Sequence, residues 1–114
     1  MCHENHSATD LNQFIVLAIQ YTMKIYSGDK FATWANRWIS GDDRSESSAH
    51  DIEEAAALDW QKAETLSSEW RAAKAAWEVA WAARLSSMEY RERSVIAATR
   101  AIKFAGGIKW LNTN

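Results

Sequence analysis

The sequence predicts an all-α protein whose four main helices pack as a compact bundle. Three observations carry this. The 114 residues contain no proline and only four glycines, so little interrupts a helix. Apolar residues recur at every third or fourth position along most of the chain, which is the helical period. No segment keeps the strict alternation of a half-buried strand. The length suits one helical domain over residues 1–114, with 1–9 expected as a flexible tail.

The first helix is expected over about residues 10–27, with Asp10 as N-cap and Gly28 just past the end. Leu11, Phe14, Ile15, Ala18, Thr22 and Ile25 form one apolar stripe, and Val16, Ile19, Met23 and Tyr26 form another. A helix apolar on most sides is expected at the centre of the bundle. The second helix is expected over 30–40, between a capping Asp29 and a terminating Gly41. Phe31, Trp34, Ala35, Trp38 and Ile39 give it one clean apolar face.

The third helix is expected over 48–85. Ser48 with Asp51 three residues on resembles a capping box. Ile52, Ala56, Trp60, Ala63, Leu66, Trp70, Ala73, Trp77 and Trp81 then step by three or four, with Ser67-Ser68 the one weak point. A helix this long would span ~55 Å, more than a core with a radius of gyration of about 13 Å can cover. It must bend or break near Ser67, or project toward a partner; the expectation is one long helix, kinked near 67. The fourth helix, over 87–105, opens on a capping box of Ser86 and Glu89 and stops at Gly106-Gly107. The segment beyond it is expected to dock through Ile108, Trp110 and Leu111.

Charge is unevenly spread. The net charge is -2, yet residues 1–40 are neutral, 41–70 carry -7 and 71–114 carry +5. This argues against a polycation that coats nucleic acid over its whole surface. It leaves room for a local basic face near the C-terminus. A single cysteine, Cys2, allows no internal disulfide framework and points to a reducing cytoplasm. The apolar run Phe14–Ile19 is too short for a membrane span, which needs ~20 residues.

No catalytic, cofactor or metal site is expected. The Asp42-Asp43 pair lies in a polar linker beside Arg44, a setting that does not separate two carboxyl pKa values; turn and cap chemistry suits it better. No serine has a Gly-x-Ser-x-Gly setting, and no glycine-rich loop opens a helix. His3 near the amino terminus, with Cys2 and His6, has the spacing of a square-planar copper or nickel site, but a polar tail is the simpler reading. His50 and Glu54 share a helix face, yet a structural zinc site needs four ligands. Acidic side chains in a first turn complement the helix dipole instead.

Seven tryptophans are more than a core of this size needs. Trp70, Trp77 and Trp81 stand among alanines, which let a neighbouring helix approach closely. Core packing is the first reading, a protein interface the second, and base stacking the third. The last draws on Arg71, Lys74 and Arg84 beside Trp77 and Trp81. An Ala/Trp stripe can also close a symmetric homodimer.

Residues 31–50 resemble a group of small, alanine- and tryptophan-rich helical proteins of phages and mobile elements, some of them immunity proteins. Trp34, Trp38, Ser40, Gly41, Asp43, Arg44 and Ser45 carry the resemblance, and residues 97–105 are similar to that group's closing helix. The resemblance implies an intracellular, non-enzymatic protein that binds and neutralises another macromolecule. The partner would be a toxin, a nuclease or a host-defence protein, which includes the anti-CRISPR type of inhibition in a host cytoplasm. The expected partner-binding residues are Asp42, Asp43, Arg44, Glu46, Asp51, Glu54, Trp70, Trp77 and Trp81. The alternative from another class is a nucleotide or nucleic-acid binder that stacks bases on tryptophan beside a basic C-terminal face.

Overall fold

Residues 48–85 do not form one helix. The computed structural model describes the backbone of residues 2–107 and the side chains of 10–106. Among the described residues there are five α-helices rather than four: α1 Cys2–Met23, α2 Asp29–Ser40, α3 Glu46–Lys62, α4 Ser68–Ser87 and α5 Arg91–Ile102. A π-helical turn, Lys103–Gly107, follows α5.

The correction lies at residues 63–67, where the expected kink is a full reversal. Ala63 turns extended, Leu66 adopts a left-handed φ of 68°, and the Ser67 hydroxyl accepts a hydrogen bond from the Trp70 N–H at 3.1 Å. That is N-cap chemistry. α4 therefore runs back along α3: Trp60 meets Trp70 and Trp77, and Glu53 meets Arg84. The physical reason is burial. An uninterrupted helix would leave the apolar faces of both halves in water, whereas a helical hairpin packs them on each other. Leu66, expected in the inward stripe, lies 63% exposed in this turn.

Other boundaries also move. Asp10 lies inside α1 and does not cap it. Gly28 is the N-cap of α2, and Asp29 its first residue. Ser45 rather than Ser48 caps α3, accepting from the Ser48 N–H at 3.3 Å. Ser86 and Glu89 close α4 instead of opening α5. The Glu89 N–H bonds the Ser86 carbonyl, the Tyr90 N–H bonds the Leu85 carbonyl, and Glu89 takes a left-handed φ of 66°. This is a Schellman turn with glutamate in the position glycine usually fills. The side chains of Cys2, His3, His6, Ile108, Trp110 and Leu111 lie outside the described residues.

The central helix is α4, not α1. It packs against α3, α5, α1 and the π-turn. Ala73, Ala75, Ala76, Ala80, Ala82 and Ala83 are at most 1% exposed. With so little side-chain volume between the axes, neighbours approach closely enough for the Ser94 hydroxyl of α5 to donate to the Ala82 carbonyl at 2.8 Å. α1 buries Leu11, Ile15, Ala18, Ile19 and Thr22, packs Phe14, Val16 and Met23 partly against the core, and leaves Leu17 exposed; Ile25, just beyond its end, is exposed too. α2 buries Phe31, Trp34, Ala35 and Trp38, as its periodicity predicts. No described helix is long and apolar enough to cross a membrane.

Ala80 is fully buried on α4, which packs against α3, α5 and α1. Ala80→Leu is expected to destabilise the fold by about 1–3 kcal/mol, read as a lower urea midpoint with unchanged slope. An unchanged midpoint would mean that the helices around Ala80 are not closely packed.

Candidate functional site

Local hydrogen bonding fixes the segment Ser40–Ser48. Gly41 takes a left-handed φ of 85°, and the Gly41 and Asp42 N–H groups bond the carbonyls of Trp38 and Arg37. Arg44 folds back over the end of α2. Its Nε donates to the Trp38 carbonyl at 2.7 Å and its Nη2 to the Ile39 carbonyl at 3.3 Å. The guanidinium lies 4.4 Å from the Trp38 ring centroid. A cation at a helix C-terminus meets unpaired carbonyls and the negative end of the dipole. Asp43 accepts from the Ser48 hydroxyl at 2.6 Å and the Ser45 N–H at 3.0 Å. These bonds, the one from Ser48 first, lower its carboxyl pKa to about 2. The residues that carry the resemblance thus build the α2–α3 joint.

The remaining acids stand outward. Asp42, Glu46, Asp51 and Glu54 are exposed. Glu46, Asp51 and Glu54 lie on the side of α3 away from the buried Ala49, Ile52 and Ala56. Their contacts are long: Asp42 to Arg37 at 3.8 Å, Glu46 to Arg84 at 3.7 Å, and Glu54 to His50 at 3.9 Å. Such exposed pairs add little to stability. Leu58, 57% exposed, follows Glu54 on the same side of α3. His50, Asp51 and Glu54 offer three exposed groups within 4.8 Å of one another, one short of a structural zinc set.

The tryptophans form a ladder along the α3–α4 hairpin. Phe104 meets Trp70 at 5.8 Å, Trp70 meets Trp60 at 6.1 Å, Trp60 meets Trp77 at 5.9 Å, and Trp77 meets Trp81 at 5.1 Å. All five rings are half-buried. Lys74 lies between two of them, its Nζ 3.7 Å from the Trp60 centroid and 4.6 Å from that of Trp77. It also pairs with Glu78 at 3.9 Å. Burial holds the Lys74 pKa below its ordinary value and raises that of Glu78. Glu78 is 2% exposed, and its Oε1 has no hydrogen-bond partner among the described residues.

The structure separates some predicted residues and joins others. Glu46, Glu53 and Trp60, seven apart along α3, all touch α4, so the acidic face and the tryptophan ladder share a border. Arg84 is drawn to Glu46 and Glu53, away from the Arg71 and Lys74 it was grouped with. Those two instead face Arg100 and Lys103 across a cleft of about 630 Å³ that Trp70 and Phe104 also line. The sequence offered only the +5 charge of residues 71–114 as a hint of this cleft.

No protein-family model, curated protein or solved structure matches the chain.

Two outcomes follow from the α2–α3 joint. Arg44→Ala is expected to cost roughly 1.5–3 kcal/mol through lost charged hydrogen bonds, while Asp42→Ala stays within about 0.5 kcal/mol. Equal urea midpoints for the two variants would remove Arg44 from the joint. Because the folded Asp43 pKa is lowered from 3.8 to about 2, its contribution is present above the unfolded value and fades as pH falls through the folded one. The urea-midpoint gap between wild type and Asp43→Asn should therefore be full at neutral pH and shrink between about pH 4 and 2. A gap that does not change with pH would contradict it.

Proposed function

We propose that this protein is a non-enzymatic binder that occludes a basic surface on another macromolecule. It belongs to the immunity or anti-defence type that the resemblance of residues 31–50 implies. The observation that carries the reading is the acidic face of α3. Glu46, Asp51 and Glu54 are exposed there, Asp42 is exposed in the connection just before it, and no lysine or arginine occurs in α3 before Lys62. Exposed carboxylates steer a basic partner and set its orientation. Apolar contact would come from Leu58 and from the outer edges of Trp77 and Trp81 along the shared border. Aromatic groups that are half core and half exposed lose little side-chain freedom on binding, which suits them to anchor an interface.

Asp43 and Arg44 take a supporting part in this reading. Both are committed to the α2–α3 joint, so they hold the face in place. The partner is a protein with a lysine- and arginine-rich functional surface, such as a nuclease or a nuclease-like toxin, whose substrate path the acidic face would block.

The test is binding to proteins from the natural host, at low and high salt. Wild type should retain a basic protein. The Glu46→Lys/Asp51→Lys/Glu54→Lys variant should retain it at least about tenfold more weakly, and Arg93→Glu, on α5, should match wild type. Equal retention by the triple variant, or a retained protein without a basic surface, would overturn the reading.

A further inference from the structure

A second feature lies where α4, α5 and the π-turn meet. Arg71 and Lys74 of α4 converge there with Arg100 of α5 and Lys103 of the π-turn. Arg71, Arg100 and Lys103 are exposed. Among the described residues the one acid lining the cleft is Glu78, which is buried and already paired with Lys74. The cleft therefore gathers four cations against one carboxylate in a molecule whose net charge is -2. Concentrating like charge costs energy, and burial with the Arg100 charge already holds the Lys74 pKa down. An anion would relieve both.

The walls add a second requirement. Trp70 and Phe104 line the cleft, with their rings 5.8 Å apart and 76° from parallel. Half-buried rings beside converged cations suit a ligand with a flat ring and a negative end. The volume, about 630 Å³, falls within the roughly 300–1,000 Å³ of small-molecule sites. Glu78 supplies a third feature, because its Oε1 has no partner. A buried carboxylate oxygen left so is costly, and negative charge on it adds to the need for the cations around the cleft.

We infer that this cleft binds a nucleoside monophosphate. The phosphate lies against Arg71, Arg100 and Lys103, and the base against Trp70 and Phe104. The three exposed cations match a dianionic phosphate without displacing the Lys74–Glu78 pair.

The experiment is calorimetric titration of the full chain with AMP, adenosine and inorganic phosphate. AMP should bind, and adenosine and phosphate should each bind at least about tenfold more weakly. Arg100→Glu/Lys103→Glu should weaken AMP by about a hundredfold or more, while Arg93→Glu leaves it unchanged. Both variants change exposed side chains, and circular dichroism checks that their helix content is intact. Three results would overturn the inference: no heat with AMP at millimolar concentration, phosphate binding as tightly as AMP, or AMP binding indifferent to the double variant. A single-stranded oligonucleotide that binds with one phosphate per contact and far outcompetes AMP would overturn it in favour of a nucleic-acid surface.

Discussion

The structure depends on how closely helices can approach α4. Alanine is the best helix former and holds neighbouring axes together by keeping little volume between them. Alone, it buries too little apolar area to stabilise a bundle. The difference is made up around the rim. Trp38, Phe31, Ile15, Ile19 and Ile102 are the largest fully buried side chains, and none belongs to α4. Full burial of such a side chain contributes about 1.5–3 kcal/mol. The tryptophans among the alanines of α4 follow from the same constraint. Trp70, Trp77 and Trp81 lie half-buried along its seam with α3, filling space that alanine leaves open.

Some costs accompany this packing. The indole N–H groups of Trp34 and Trp38 are buried without acceptors among the described residues. The Arg44 guanidinium lies over the Trp38 ring and uses its donors on the α2 carbonyls instead. Leu66 and Glu89 hold left-handed backbone at the two ends of α4 without being glycine. Each such residue costs of order 1–2 kcal/mol, which the packing of α4 on its neighbours offsets.

The helical class and the α2 face were legible because they rest on short-range signals. Phe31, Trp34 and Trp38 repeat on one side, and Gly41 suits the left-handed stop that ends the helix. The place of the break was legible from helix length and Ser67-Ser68, but the full reversal was not, because the step of three or four runs through Leu66 as smoothly as through Trp70. Only Ser67 marked the joint, as one weak cap in a long periodic run. Ser86 and Glu89 misled for a related reason: a Ser-x-x-Glu pair reads as an N-terminus, yet here its backbone closes a C-terminus. At the candidate site, the exposed acids were visible as a charge run. The structural use of Asp43 and Arg44 was not, because it depends on Ser48 and on carbonyls at the end of α2. The basic cleft joins Arg71 to Lys103 across two helices, a distance no local pattern records.

α4 packs against both α3 and α5, and the exposed acids of α3 and the basic cleft beside α5 share no residue in a molecule 20 Å across its thinnest direction. The protein is an electric dipole whose net charge of -2 understates its field. At physiological ionic strength the screening length is about 8 Å, shorter than that thickness. Each group of charges is then felt separately, and an approaching charged surface meets one sign at a time. At 0.01 M salt the screening length grows to about 30 Å, and the whole molecule turns before it touches. Encounter orientation thus depends on salt.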